Sequence, residues 1–455
     1  MLKLKKVVSL LVVCLLALSL VACGGSKGEP EGTSDNTASA TEEVTPENTT
    51  VEQKEVELEV WSFFSPGSNQ AEKVKGSVDT FLQENPKIKV NLNFVGQDAT
   101  TKMRPRFAQK DTPDLLITNS AFANTYAKDE LLSPITKYLE GKDYTGSEKW
   151  RDTFLEGTLQ PTQWNGEDWA APEQLVITSW FYNKKIFSDL NLEAPKTWNE
   201  FLAVCEKIKG AGIAPIATDG NVDAYLSWFW SNLAIRQAGY DKYMEALKSK
   251  DGAIWEDPDF IQAAVKLQKM IPYFQNGFKG TQYPGANALL VQGKGAMMYI
   301  GSWLPQEILP IKPEGFEMGM FMFPTLEDGK ETKILVEAKT NNWVMPKYAK
   351  NPEQAATLMK YFTSKKHQDV IASMDLHPTI KGVESPAVVK DVPAIIKSAD
   401  IVTPQYNYVY EKEYTEWSSA ALYPNITAFL FGDIKTPEEF MKKVKEKTAD
   451  YYTNN

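Results

Sequence analysis

Aromatic residues are missing from the first 60 positions. None precedes Trp61, although the 455-residue chain carries 12 Trp, 19 Tyr and 21 Phe. Cysteine and histidine are almost as scarce. Three cysteines (Cys14, Cys23, Cys205) and two histidines exclude a disulfide scaffold and leave almost no material for a Cys/His zinc site. Arginine is confined to Arg104, Arg106, Arg151 and Arg236, and the remaining cations are lysine. With a formal charge of −10, the chain is no match for a phosphate backbone, so no nucleic acid partner is expected. There is no Gly-x-Ser-x-Gly elbow and no dinucleotide fingerprint, and Gly293-Lys294-Gly295 lacks the rest of a phosphate loop. His367, in the charged stretch Ser364–Gln368, reads as a solvated helix end. His377 precedes Pro378 in a loop. Neither supports a catalytic triad. No repeat of 20 to 50 residues is visible.

The aromatic-free segment has its own organisation. Lys3, Lys5 and Lys6 precede a 14-residue apolar run, Val7 to Leu20, too short for a comfortable membrane span and typical of a secretory signal. Leu20-Val21-Ala22-Cys23-Gly24-Gly25 then resembles a bacterial lipobox, which implies cleavage before Cys23 and a diacylglycerol on its thiol. Two acyl chains suffice for stable anchoring. Loss of the three signal lysines takes the charge from −10 to −13, so attachment to anionic lipid must be covalent rather than electrostatic. Residues 23–55 form an acidic tether, with eight acids against two lysines between Gly24 and Glu55. It has too little apolar surface to offset its ordering entropy and reaches on the order of 30 Å. The 455 residues thus divide into about 22 of signal, 33 of tether and 400 of folded body.

The body opens as an α/β unit. Val56, Leu58 and Val60 alternate with glutamates up to Trp61. Ala71, Val74, Val78, Phe81 and Leu82 recur at helical spacing, and Asn85-Pro86 stops the helix. Ile88 to Phe94 alternates again, a polar helix follows around Thr100–Gln109, and Asp114–Ile117 is a continuous apolar run. The order β-α-β-α-β predicts a parallel, doubly wound sheet with ligands beyond the carboxyl ends of its strands. Those ends are Trp61–Phe64 and Thr118–Ser120. Further on, Thr197-x-x-Glu200 is a capping box, with Phe201, Val204, Cys205 and Ile208 on one face. Cys205 is therefore a core residue. Asp257-Pro258, Asn351-Pro352 and Thr436-Pro437-x-Glu439 read as helix starts.

Aromatic clusters are the strongest local signal. Most tryptophans should be core. Those beside Gly, Asn or Asp, as in Gly301-Ser302-Trp303, Asn341-Asn342-Trp343 and Asp223 to Trp230, suit a cleft that stacks on the C–H faces of a sugar and bonds its hydroxyls. Tyr406, Tyr408, Tyr410, Tyr414 and Trp417 form a further cluster. Glu173 and Asp223 stand out among the 59 acids because they lie beside aromatics rather than in charge runs.

Trp169-Ala-Ala-Pro172-Glu173, Phe181-Tyr-Asn-Lys184, Pro195-Lys-Thr-Trp198-Asn-Glu-Phe201, Gly293-Lys-Gly-Ala-Met297 running into Gly301-Ser302-Trp303, Phe321-Met-Phe-Pro324 and Asn351-Pro-Glu-Gln-Ala-Ala356 follow in order. With Thr112-Pro113-Asp114 and Phe274-x-x-Gly277, this series resembles the extracellular solute-binding proteins, family 1, of ABC sugar importers, from about Val56 onward. The resemblance implies a type II periplasmic-binding-protein-like fold, with two parallel-sheet α/β lobes joined by a hinge around a central cleft. Lobe 1 would hold 56–176 plus 338–377, and lobe 2 would hold 177–337 plus 378–455. It implies a mono- or oligosaccharide ligand, docking on ABC permease subunits, a monomer at a Gram-positive cell surface, no enzymatic activity and no cofactor or metal. Trp61, Phe64, Trp228, Trp303 and Trp343 are the stacking candidates. Asn119, Ser120, Glu173, Asp223, Asn342 and His377 are the hydrogen-bonding ones. The rival readings are a surface glycoside hydrolase, which needs an acid pair across the cleft, and a sensor or adhesin without transport.

Overall fold

The computed structural model describes residues 55–96, 99–403 and 416–454. The signal segment, Cys23, the tether up to residue 54 and Tyr406, Tyr408, Tyr410 and Tyr414 lie outside the described residues.

Alternation produces the first strands as expected. β1 (Val56–Ser62) turns Leu58, Val60 and Ser62 inward and lies parallel to both β2 (Ile88–Phe94) and β3 (Leu115–Asn119). The helix Asn69–Glu84 joins β1 to β2. Ser68 caps it by accepting from the Ala71 N–H at 3.2 Å, and its stripe of Ala71, Val74, Val78 and Phe81 is buried. Burying one such phenylalanine stabilises by about 1.5–3 kcal/mol.

The sheet then departs from the parallel expectation. β4 (Ala170–Asn183), β5 (Ala214–Ile216), β6 (Gly295–Gly301), β7 (Met318–Phe321) and β8 (Leu335–Pro346) complete it, in the order β2-β1-β3-β8-β4-β6-β5, with β7 also on β4. β8 is antiparallel to β3 and to β4, and β4 is antiparallel to β6 and β7; parallel pairing returns between β5 and β6 and between β8 and the short strand Ile401–Thr403. The cause is the length of β4 and β8. At 14 and 12 residues, each runs from one half of the sheet into the other, so each half receives a strand entering from its partner rather than from a local βαβ crossover. Within this pair, Gln174 faces Asn341 and Pro172 faces Asn342, so Glu173 is the extra residue of a bulge. Pro172, with no N–H to give to a ladder, is at home there.

Two main hydrophobic clusters flank the crossing pair. One contains Leu58, Val60, Phe81, Leu115, Ile117, Trp343 and Phe362. The other contains Trp180, Phe181, Phe201, Phe229, Trp230, Trp255, Met297 and Phe440. Cys205 belongs to the second, fully buried, and burial pushes its thiol pKa far up. A smaller cluster joins Leu175, Ile177, Val336 and Ala338 of the crossing strands to Val389 and Val392.

Local signals mostly act as read. Thr197 and Glu200 form the reciprocal cap of the helix Trp198–Gly210, Asp257 caps Pro258–Met270, and Thr436 accepts from Glu439 N–H at 3.1 Å before Pro437–Asn454. Asn351 differs. A helix follows it (Pro352–Phe362), but its side-chain amide donates to the Glu57 carbonyl at 3.1 Å, tying that helix to β1 instead of capping it. His367 is a correction of a larger kind. It is 1% exposed rather than solvated, because the helix Lys365–Ser373 turns His367, Gln368 and Ile371 inward together.

Candidate functional site

A cavity of about 260 Å³ lies against the crossing strands, lined by Phe63, Phe64, Ser65 and Ser68 from the turn after β1, Gln70 from the first turn of the helix Asn69–Glu84, Asn119 from the end of β3, Val176, Lys339 and Asn341 from β4 and β8, and Tyr225, Trp303 and Glu307. This is the position beyond the strand ends where open α/β sheets hold ligands, with a volume near the lower bound of about 300 Å³ for small-molecule sites. A larger cavity of about 790 Å³, lined by Leu155, Pro161, Pro393 and Val402 among others, gathers none of the candidate site residues and, among the described residues, no aromatic ring. The smaller one is the candidate site.

Three candidates meet in it: Phe64, Asn119 and Trp303. Asn119 is fixed by its own helix. Its Oδ1 accepts from the Phe122 N–H at 3.1 Å, capping Ser120–Lys128. Trp303 is built from β6 upward. Its ring folds back over Gly301, where a Cβ would stand 1.9 Å from ring carbon Cζ3, so only glycine permits this approach. Its Nε1–H donates to the Tyr283 hydroxyl at 3.0 Å, and that hydroxyl donates to Glu307 at 2.6 Å. Tyr225 lies 6.1 Å from Trp303 and 4.7 Å from Trp228, centroid to centroid. Glu307 keeps contact with solvent, yet the protein around it raises its carboxyl above the usual carboxylate range.

The other candidates lie elsewhere. Trp61 donates to Glu59 at 2.8 Å and lies under the Arg106 guanidinium, which itself pairs with Glu59. Trp228, 2% exposed, meets Trp303 edge-on at 6.1 Å and backs the aromatic wall rather than facing the cavity. Asp223 is exposed and accepts from Thr427 at 2.7 Å. Ser120 is buried, its hydroxyl accepting from Thr340 N–H. Asn342 is buried and donates to the Thr340 carbonyl at 2.8 Å.

Glu173 and Trp343 pair with each other. Trp343 Nε1–H donates to Glu173 Oε1 at 3.0 Å and its ring stacks on Phe362 at 4.0 Å. The same carboxylate oxygen accepts from His367 Nε2 at 2.9 Å, while His367 Nδ1 meets the Ser77 hydroxyl at 2.9 Å. Serine, histidine and glutamate in this order look like a hydrolytic triad, but Ser77, His367 and Glu173 are each at most 4% exposed and line no cavity described above. The set is a clamp on the bulge in β4.

His377 is also buried. A carbonyl can only accept, so Nδ1–H donates to the Pro378 carbonyl at 2.6 Å, and Nε2 accepts from Ser385 at 3.1 Å. This neutral tautomer is satisfied, and burial lowers the pKa from 6.5 to about 4. The unfolded chain thus binds the proton more readily, and its stabilising contribution is lost as the pH falls from about 6.5 to about 4. Denaturant titrations at pH 7 and pH 4.5 should show a drop of up to about 3 kcal/mol that is absent in His377→Leu. An equal drop in that variant would remove His377 as the cause.

Sequence reasoning missed Tyr225, Glu307, Lys339 and Asn341. Tyr225 had a signal, lying three residues before Trp228 and so on the same helix face. Lys339 and Asn341 had one too, since a period of two in β8 places them together.

A family model described as bacterial extracellular solute-binding protein matches residues 67–369, more than half of the chain. The multiple sugar-binding protein of Streptococcus mutans is 25% identical over 338 residues, covering 70% of this chain and 75% of that one. The diacetylchitobiose binding protein NgcE of Streptomyces coelicolor is 24% identical over 373 residues, 78% of this chain and 77% of that one. A solved chain from work on xylan utilization by Caldanaerobius polysaccharolyticus superposes with a TM-score of 0.72 at 23% identity, over 86% of this chain and 99% of that one. The RafE solute-binding protein in complex with raffinose gives 0.70 at 18% identity, over 87% and 99%. The fold is accordingly the type II, two-lobed architecture of periplasmic binding proteins.

Proposed function

Because this chain belongs to the bacterial extracellular solute-binding proteins, we propose that it is a lipid-anchored receptor that captures a mono- or oligosaccharide and delivers it to ABC permease subunits. The observation that carries the reading is the composition of the cleft. Aromatic rings of Phe63, Tyr225 and Trp303 line the same cavity of about 260 Å³ as the amide residues Gln70, Asn119 and Asn341. Apolar C–H faces and hydroxyl rims of a sugar match those two kinds of surface. Residues 56–176 with 338–377 and residues 177–337 with 378–455 act as the two lobes, closing on ligand by bending at β4 and β8. Diacylglycerol on Cys23 holds the body at the outer face of the membrane, on a tether formed by residues up to 55, and the receptor works as a monomer.

Hydrolysis fits the cleft less well than capture. A glycosidase needs two carboxyl groups about 5–9.5 Å apart. Among the described residues lining the cavity only Glu307 is an acid, and it is engaged by Tyr283. A thermal-shift screen against neutral and acidic carbohydrates tests the reading. A ligand at one hundred times its Kd should add about 2.7 kcal/mol to stability, visible as a raised Tm, with no release of product from the same sugars. Unchanged melting across a broad panel would overturn it.

A further inference from the structure

The cleft holds one cation and one acid among its described lining residues, and they are not paired with each other. Glu307 is occupied by Tyr283. Lys339 projects from β8 so that its ammonium lies 5.0 Å above the Trp303 ring, and among the described residues it makes no ion pair within 4 Å and no hydrogen bond. Its close contact is the π-face of Trp303, and Glu337, buried on the same strand, attracts it without reaching salt-bridge distance. We propose that Lys339 makes this a receptor for acidic sugars, its ammonium pairing with a carboxylate carried on the bound carbohydrate. The proposal rests on the carbohydrate-capture reading above.

Three considerations favour a negatively charged ligand. First, the amine covers the face on which a sugar would stack, while Gly301 backs the ring from its own strand. A neutral sugar must displace the ammonium and give it nothing in return; a carboxylate draws it off the ring into a charge-assisted hydrogen bond. Second, the nearest acid in sequence makes no ion pair with it within 4 Å. Glu337, two residues earlier on β8, is buried; burial raises its carboxyl well above the usual carboxylate range against the pull of Lys339, so it is a weak counter-charge. Third, the surrounding protein disfavours the charged amine and lowers its pKa, a cost that a bound anion relieves. A single amine without an arginine beside it matches a singly charged carboxylate better than a phosphate, which carries nearly two charges and favours a guanidinium fork.

The experiment is calorimetry on the whole chain with uronic-acid-containing oligosaccharides and their carboxyl-reduced counterparts, which differ only in the charged group. The acidic member of a pair should bind at least about tenfold more tightly, as expected for a hydrogen bond to a charged partner. Lys339→Met should abolish that preference by weakening the acidic member and not the neutral one, and Lys339→Arg should keep it; thermal melts establish that both variants fold. Equal or tighter binding of the neutral members by the unaltered chain overturns the proposal and leaves carbohydrate capture standing. So does a preference that survives Lys339→Met. Failure of every acidic and neutral sugar to bind overturns the underlying reading, and the proposal with it.

Discussion

Replacing Glu173 by alanine is expected to destabilise the fold by about 3–5 kcal/mol, since two buried donors left without an acceptor cost about 1–3 kcal/mol each. The side chain is fully buried in the bulge of β4, and its Oε1 accepts from both Trp343 and His367. Deletion strands an indole N–H and an imidazole where water does not reach, and each loses its partner without solvent to replace it. It also leaves a cavity beneath the Trp343–Phe362 stack. Glu173→Gln retains a carbonyl oxygen for both donors and should cost much less, about 1–2 kcal/mol. Denaturant unfolding monitored by tryptophan fluorescence separates the two variants. If Glu173→Ala matched the unaltered protein, the clamp would be a contact without energetic weight. Sugar affinity of the folded fraction should hardly change in either variant, because neither carboxylate oxygen lines the cleft.

Trp303→Ala is expected to weaken ligand binding more than tenfold, at least about 1.4 kcal/mol, while the chain still folds. The ring contributes a flat apolar face and holds Tyr283 through its N–H, and Tyr283 in turn engages Glu307. Truncation therefore removes the platform and loosens the acid beside it. Gly301→Ala approaches the same residue from behind. A methyl group there would stand 1.9 Å from Trp303 Cζ3 and force the ring toward the cleft, with an overpacking cost of about 1–3 kcal/mol. Both variants should lose affinity, but only Gly301→Ala should also lose stability beyond the loss of ring burial. Calorimetry with whichever sugar raises the Tm, alongside thermal melts, reads both quantities; unchanged affinity in Trp303→Ala would remove it from the site.

Where a single period governs a segment, the sequence was a good guide. β1 to β3, their intervening helices, the capping box at Thr197 and the burial of Cys205 follow from alternation, helical spacing and cap chemistry, all of which act locally. The crossing strands were not legible as strands. β4 is buried on both faces for nearly its whole length, so it shows no alternation, and β8 contains two asparagines that strands usually avoid. His367 was misread because Lys365, Lys366 and Asp369 surround it in sequence while pointing away from it in the helix. The spacing of His367, Ile371 and Met374 was the available signal for an inward face. For the site, the rule that ligands sit beyond strand ends led to Phe64 and Asn119, and the glycine beside Trp303 led to Trp303. Trp343 and Glu173 shared the same polar-aromatic context but lie deeper along their strands. Sequence context does not distinguish a tryptophan facing a cleft from one buried two residues further in.

The long reach of β8 also bears on how the chain comes to fold. β3 ends at Asn119, yet its partner across the sheet is Asn341 to Val344, and Ser120 and Thr340, which bond one another, are 220 residues apart in sequence. Until residue 346 has been synthesised, the sheet begun by β1 to β3 keeps a bare edge on the β3 side. The helix Pro352–Phe362 that covers part of its apolar face is made later still. Such distant closures carry a large loop entropy before any contact repays it, and they slow folding. A growing chain of this design stays uncommitted through most of its synthesis. The halves of the molecule are then completed nearly together, by a strand that belongs to both.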